Sequence, residues 1–470
     1  MNTTVVILAA GLGTRMRSKR AKVLHSAGGQ TLIEHVVAAA RAVAPGDQIV
    51  AVTGHQAAEV EALLGPRGIQ FARQSEQKGT GHALACCREA CAGKDGLVMV
   101  LYGDTPLLSG ATLTKLRDTQ AASDAAATLI TTSLTDPTGY GRVLLDKSGN
   151  VRAIVEEKAC SPYQRSIRMI NSGIYCFRAD LLWRHIGEIE PNSASGELYL
   201  TDMAEILTRH GHRVRPLHIE DARELLGINT RVELADADRL LRERKAQELM
   251  LSGVTIERPE TVSIDSQVRV GIDTIIEPFT RLLGTTEIGE ECRICAGSIV
   301  ESSVLADRVI IKPYSLVADS RVEAGAQVGP FARLRMSAQI GPFARVGNFV
   351  EVKNSRLGTG VKSQHLAYLG DAEIGDRVNI GAGTITCNFD GEKKHETKIG
   401  AGAFIGSNAT LVAPIEIGEE SYVGAGSVIT DPVPVQSLAL GRGRQVVKTD
   451  WVGRRKKKPG ARSQEPESPA

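Results

Sequence analysis

Three places in the 470-residue chain carry side chains whose type and spacing can do chemistry. The first is Leu8-Ala9-Ala10-Gly11-Leu12-Gly13-Thr14-Arg15-Met16, with Lys22 seven residues beyond Arg15. A glycine-rich turn brings backbone N–H groups close to phosphate, and two nearby cations can neutralise a triphosphate. The pattern is not a dinucleotide fingerprint, which needs glycine at position 16, nor a P-loop, which needs G-x-x-x-x-G-K-[ST]. The second is Tyr102-Gly103-Asp104, where a carboxylate follows an apolar run. Asp104 is placed to hold Mg²⁺, a hard cation that takes one or two carboxylates plus substrate phosphates. The third is His365 in Ser363-Gln364-His365-Leu366-Ala367-Tyr368. A histidine near its ordinary pKa of about 6.5 can accept a proton at physiological pH. Each has a plainer alternative: a tight turn with surface cations, a helix N-cap and a surface histidine.

The elements around these residues follow from hydrophobic periodicity. Segments 4–8, 48–52, 96–101, 126–131, 142–145, 173–177 and 213–218 read as strands, and 32–43 and 79–92 carry helical apolar spacing. That alternation implies an α/β sheet with helices on both faces. The glycine-rich loop and Asp104 then both lie at carboxyl ends of strands, where open α/β sheets bind ligands. Residues 229–252 lack Pro and Gly from 229 through 251 and read as one long amphipathic helix joining two domains.

Beyond that helix the period changes to six. Aliphatic residues recur at Ile264, Val270, Ile276, Leu282, Ile288, Ile294 and Val300. After a four-residue slip they resume at Val304, Ile310, Leu316, Val322, Val328, Leu334, Ile340, Val346 and Val352. They appear again at Ile374 and Ile380, and from Ile399 to Ile429. Neither a helix nor an ordinary strand has this period. It predicts a parallel β-helix with three hexads per coil, aliphatic side chains inside and small or Gly residues turning the corners. Segment 388–398 breaks the period with polar residues and should project as a loop. Residues 448–470 are polar and basic and should form a disordered tail.

Composition sets the outer limits. Basic and acidic residues number 56 and 54, so no global field argues for nucleic acid or an acidic membrane as partner. Eight cysteines scattered between positions 86 and 387 exclude a disulfide scaffold and point to a reducing, cytoplasmic setting. Cys292-x-x-Cys295 has no second pair nearby and reads as small buried residues rather than a metal half-site. No apolar run is long enough to span a membrane, and 5–10 lacks the basic flank of a signal peptide.

Ordered blocks then carry a resemblance. LAAGLGTRM, Lys22, Gln74 with Gly79-Thr80, and LYGD at 101–104 resemble the sugar-1-phosphate nucleotidyltransferases. With DPTGYGR at 136–142, EEK at 156–158, NSGIY at 171–175, ELYLTD at 197–202, GIN at 227–229 and the hexad half, residues 3–447 resemble the bacterial bifunctional N-acetylglucosamine-1-phosphate uridyltransferase/glucosamine-1-phosphate acetyltransferases. The resemblance implies a Rossmann-like nucleotidyltransferase domain over 1–228, a linker helix over 229–252 and a left-handed β-helix acetyltransferase domain over 253–447. It implies that Leu8, Ala9, Ala10, Gly11, Gln74, Gly79 and Thr80, with Tyr102 and Gly103, hold the uridine nucleotide. Gly139, Glu156 and Asn171 would hold the sugar, Asp104 and Asn229 would bind Mg²⁺, and Arg15 and Lys22 are the phosphate-contacting cations. In the second half it makes His365 the general base. Arg335, Lys353, Tyr368, Asn379 and Lys394 become the sugar-phosphate site, and Ala382, Asn388, Phe389, Ser407, Ala425 and Arg442 the acetyl-CoA site.

Two departures stand out: Ala21 where the family has Pro before the lysine, and Phe389 where it has Tyr. The implied substrates are UTP, glucosamine-1-phosphate, N-acetylglucosamine-1-phosphate and acetyl-CoA, and the implied assembly is a homotrimer. Neither nucleic acid nor membrane insertion is implied. Two other readings stay open: a nucleotidyltransferase for another sugar whose β-helix only oligomerises or regulates, and a non-catalytic module that keeps both folds. His365 with Tyr368, Asn379 and the loop lysines speaks against the first. Intact Arg15, Lys22 and Asp104 speak against the second.

Overall fold

The apolar run at the N-terminus becomes the centre of a mixed sheet, as its unbroken hydrophobicity requires of a strand covered on both faces. The computed structural model describes residues 2–193 and 196–456. The sheet's strands are β1 (Thr3–Leu8), β2 (Ile49–Thr53), β3 (Gln70–Arg73), β4 (Leu97–Tyr102), β5 (Ala127–Ser133), β6 (Arg142–Leu145), β7 (Val151–Val155), β8 (Met169–Arg178) and β9 (Val214–His218). Their order is β9-β5-β8-β4-β1-β2-β3, with β6 pairing β8 and β7. Strand β8 runs antiparallel to both neighbours in the path, while β1 is parallel to β2 and β4. Leu8 lies level with Val52 and Tyr102, so the loops after β1 and β4 open side by side.

Alternate residues of β1 face opposite cores. Val6 and Leu8 pack with Leu182, Met203 and Leu207, and Val5 and Ile7 with Ile33, Val36, Leu113 and Leu116. Strands β3 and β7 lack a distinct sequence signal: β3 is the short segment Gln70–Arg73 at the edge of the sheet path, and β7 is a hairpin partner of β6. Two predicted helices end early, at Ala40 and Ala85. Beyond each, i→i−3 bonds such as Val43 N to Ala40 O and Arg88 N to Ala85 O tighten the coil into turns.

The chain divides into two compact units, residues 1–287 with 300–302 and residues 288–299 with 303–470, rather than at the linker helix. That helix runs Arg231–Leu251 and is capped by Thr230 and Glu233 in a reciprocal capping box. It buries Ala237 and Leu241 against Ala27, Leu32, Leu107 and Ile228. Arg242 bonds Asp238 at 2.9 Å and Asp265 at 2.7 Å. The first coil strands, Ser263–Ile264 and Arg281–Leu283, therefore group with the N-terminal half.

In the second unit every strand ladder is parallel, in three sheets, which is the expected β-helix. The hexad phase is corrected in one stretch. Val304, Ile310 and Leu316 are only partly buried, and the inward residues are Leu305, Ile311 and Val317. Each is the second of two consecutive aliphatics, and a one-residue change of phase exchanges the inner and outer faces of a strand.

Glycine turns some of the corners, with left-handed φ at Gly297, Gly325, Gly383 and Gly426, but not all of them. Left-handed corner residues include Tyr314, Phe331, Phe343, Phe349 and Leu366, which carry bulky side chains outward. Tyr314, Phe331 and Phe349 stack at 5.4 and 5.6 Å. Glycines after the aliphatic positions serve close approach instead: a Cβ on Gly347 would lie 1.9 Å from Gln364 O, and one on Gly406 2.5 Å from Ala425 N. Cys292 and Cys295 are buried, and Cys292 Sγ donates to Ala306 O at 3.1 Å. Within the expected tail, Trp451–Lys456 forms a short helix, with Arg455 over the Trp451 ring, and 457–470 lie outside the described residues. No helix among the described residues is long and apolar enough to cross a membrane.

Candidate active sites

The side-by-side ends of β1 and β4 open onto a cavity of about 530 Å³. Leu8, Ala9, Ala10, Gly11, Lys22, Gln74, Gly79, Thr80, Tyr102, Asp104 and Asn229 all line it. A second cavity of about 210 Å³ takes in Arg15 and Gly139 and also touches Tyr102, Asp104 and Asn229. Gly103, Glu156 and Asn171 are in neither lining. Gly103 donates its N–H to Leu8 O at 2.9 Å and ties the two loops together. Glu156 accepts from Thr201 at 3.2 Å, and Asn171 donates to the Tyr175 hydroxyl at 2.8 Å. Burial raises the Glu156 pKa above the ordinary carboxylate value.

Gly79 shows why sequence chooses glycine here. Its φ of +100° is left-handed, and a Cβ would lie 2.5 Å from Leu198 O. That approach lets Gln74 donate to Gly79 O at 3.1 Å and brings Thr80 Oγ1 within 3.0 Å of Leu200 N.

The charged centre is compact. Lys22 pairs with the Asp104 carboxylate and donates to Asn229 Oδ1 at 3.1 Å. Arg15 donates to the same Asn229 oxygen at 2.9 Å. Two oxygen donors thus converge on one cationic group, which is a donor set suited to a hard divalent cation. Ala21, the departure from proline, has φ −55°, within proline's own range. Its N–H, which proline lacks, donates to Gln56 Oε1, and Gln56 Nε2 donates to Lys19 O at 2.7 Å. Gln56, which sequence reasoning missed, closes the loop that proline would stiffen.

In the second unit the implied residues fall into two groups. One follows a corner of successive coils. His365 pairs through Nδ1 with Asn348 Oδ1 at 2.9 Å, and the strands holding them are in register at that pair. Leu366 O then accepts from Gly383 N, Ala382 O from Asn408 N, and Ser407 O from Gly426 N, each at 2.7–2.8 Å. Arg442 donates to Ala425 O at 2.7 Å. His365, Ala382, Ser407, Ala425 and Arg442 therefore lie along one ladder. Asn379 is in register with Lys362, in the strand that carries His365.

The other group lies on the next sheet. Arg335 and Lys353 are in register, with Arg335 Nε bonded to Glu351 at 2.6 Å. Lys394, from the loop, lies beside Lys353, and that neighbouring ammonium holds the Lys394 pKa below the ordinary lysine value. Lys394 also lines a cavity of about 430 Å³ with Asn354 and Asp371. Asn388 joins this group and not the corner ladder: its buried amide turns to the Tyr368 hydroxyl at 3.5 Å and to Asp371. Phe389 leaves its ring exposed while its backbone bridges to Lys394. The loop is a hydrogen-bonded hairpin, since Asp390 accepts from Glu392 N, Lys393 N and His395.

Asn348, Asn354 and Asp371 were missed as well. Each hydrogen-bonds a residue 17 positions later, in the pairs Asn348–His365, Asn354–Asp371 and Asp371–Asn388. One coil of the repeat, counted from the implied residues, would have found them.

Comparison with known proteins bears on both halves. The MobA-like NTP transferase domain matches residues 5–161, and the bacterial transferase hexapeptide (six repeats) matches 396–431. The chain is 55% identical over 454 residues to the Bifunctional protein GlmU of Solibacter usitatus, covering 97% of each. It is 49% identical to that of Koribacter versatilis, over 96% of this chain and 97% of the relative. The figure is 46% for that of Pelobacter propionicus, over 97% and 99%. Full-length likeness, a nucleotide cleft and a separate hexapeptide unit agree: the chain belongs to the GlmU family and is a bifunctional enzyme with uridylyltransferase and glucosamine-1-phosphate acetyltransferase activities.

Proposed function

We propose that the second unit acetylates glucosamine-1-phosphate from acetyl-CoA and that the first then transfers UMP from UTP to the product, giving UDP-N-acetylglucosamine and pyrophosphate. The observation that carries the first site is the meeting of Lys22, Asp104 and Asn229 at the mouth of the glycine-rich loop. Gln74, Gly79 and Thr80 hold the uracil end, and the N–H groups of residues 8–11 receive the phosphates. Gly139, Glu156 and Asn171 place the sugar, whose phosphate oxygen attacks the α-phosphorus in line. Arg15 and Lys22 neutralise the departing pyrophosphate. Asp104 and Asn229 are the residues that would hold Mg²⁺, and the ion would supply further charge neutralisation on the phosphates. Lys22 bonds both of those side chains, so an ion held there would leave its ammonium to the phosphates.

In the second unit Asn348 Oδ1 accepts the Nδ1 proton of His365, which leaves the Nε2 lone pair as general base. Nε2 takes a proton as the sugar's amine attacks the thioester carbon, and the coenzyme leaves as thiolate. Like-charged Lys353 and Lys394, with Arg335 and Tyr368, make a site for the sugar phosphate. Ala382, Ser407, Ala425 and Arg442 line the acetyl-CoA track, with Phe389 contributing its ring. We place the enzyme in the cytoplasm as a homotrimer associated through its β-helix. The functional division is 1–228 for uridylyl transfer and 253–447 for acetyl transfer.

The test supplies glucosamine-1-phosphate and acetyl-CoA without UTP and follows free thiol. His365→Ala should abolish thiol release and leave pyrophosphate release from UTP and N-acetylglucosamine-1-phosphate intact, with Asp104→Ala giving the converse. An Asp104→Ala enzyme that keeps most uridylyl transfer refutes the cation assignment.

A further inference from the structure

Away from both sites, the first unit gathers histidines that neither activity uses. His185 ends the helix Ala179–His185, Glu188 lies one turn on, and His210 caps the helix Asp202–Arg209. Glu188 Oε1 is 2.7 Å from His185 Nδ1, and Glu188 Oε2 is 2.8 Å from His210 Nε2. The two imidazole rings lie 4.2 Å apart at 34°, and the His212 ring is 5.9 Å from that of His185. One ligand atom from each of His185, Glu188 and His210 lies within 4.8 Å of the others.

We propose that His185, Glu188 and His210 form a binding site for Zn²⁺, which joins two helix ends of the uridylyltransferase unit. Two imidazole nitrogens and a carboxylate are a familiar zinc donor set, and borderline zinc prefers nitrogen where Mg²⁺ prefers oxygen alone. The ion takes the place of the two protons now shared between Glu188 and its histidines. Ligand atoms of a tetrahedral zinc site stand about 3.3 Å apart, so the carboxylate has to retreat by roughly half an ångström from its present contacts. Glu188 has that freedom, since its side chain is 43% exposed, while the 8% exposed His185 is held in place by packing. The fourth position falls to water or His212. Arg178 and Arg184 lie near His212, and Arg178 is already paired with Asp180.

Titration of the full-length, metal-stripped protein with Zn²⁺ alone, and separately with Co²⁺, tests this. One equivalent should bind and raise the melting temperature, and Co²⁺ should show visible ligand-field bands without a thiolate charge-transfer band. Glu188→Gln and His210→Ala should each weaken Zn²⁺ binding by at least about tenfold, the loss that removing even a group hydrogen-bonded to a ligand can bring. Both variants should keep uridylyl transfer in Mg²⁺. The half-exposed His210 makes its variant safe for folding, and circular dichroism checks it. The proposal is overturned if no zinc binds, if both variants bind it as the parent does, or if a thiolate band assigns the metal to cysteine. Because the readout is binding, failure here leaves the catalytic assignments untouched.

Discussion

At the scale of single residues, the second site turns on one hydrogen bond. If Asn348 fixes which nitrogen of His365 carries the proton, Asn348→Ala should lower acetyl transfer by about tenfold or more with uridylyl transfer unchanged. Asn348→Asp should keep most of the activity, because a carboxylate accepts the same N–H. Thiol release at saturating substrates measures both, and an alanine variant at full rate removes Asn348 from the mechanism. In the first unit, burial raises the pKa of the Glu156 carboxyl, and Asp202 is raised for the same reason and by Glu156 itself. A raised folded pKa means that the native state binds this proton more tightly than the unfolded chain. The stability it contributes is complete below the unfolded value of about 4.3 and is lost as pH rises through the folded value. Glu156→Gln should therefore be more stable than the parent at pH 8 and should lose that advantage as pH falls through the carboxylate range. Urea unfolding at the two pH values decides it, and an equal difference at both rejects the buried-carboxylate account. The gain in stability would come with weaker sugar binding, since the carboxylate is then gone.

At the scale of elements, coil spacing sets catalytic geometry. Gly347 precedes Asn348, and a Cβ there would lie 1.9 Å from Gln364 O, in the strand that ends on His365. The obstacle is backbone, so the coil and not a flexible side chain must move. Gly347→Ala should cost acetyl transfer on the order of 100-fold, as a displacement of about 1 Å can, lower the melting temperature, and spare uridylyl transfer. Retention of full acetyl activity would show that the coils slide without consequence. This glycine also marks how far sequence could be read. The hexad period disclosed a β-helix because aliphatic side chains must recur inside it. Period alone could not choose between Val304 and Leu305, since two adjacent aliphatics satisfy either phase. Nor could it say which glycines turn a corner, as Gly297 and Gly325 do, and which serve contact between coils, as Gly347 does. The cavity at the ends of β1 and β4 was legible because strand ends and the glycine-rich loop are local. Gln56 was not, because its partner Ala21 lies 35 residues away with no repeat to relate them, whereas Asn348 lies one coil, 17 residues, before His365 and could be counted back from it.

At the scale of the whole molecule, the chain places its two chemistries in separate compact units, each with its own cavities. The boundary falls inside the β-helix because Arg242 and Asp265 tie the linker helix to the first coils. Local periodicity reports no such long-range pairing. Gly11, Leu12 and Arg15 at the cavities of the first unit are exposed to solvent. With these cavities open to solvent, the expected route of the intermediate from one unit to the other is through bulk solution. Equal amounts of Asp104→Ala and His365→Ala proteins, mixed with glucosamine-1-phosphate, acetyl-CoA and UTP, should make UDP-N-acetylglucosamine at a steady rate. That rate should match wild type at half the total concentration, with the same lag. Added N-acetylglucosamine-1-phosphate should dilute labelled intermediate equally in the mixture and in the wild type. If the mixture lags longer, or the wild type resists dilution, the intermediate passes between units without release.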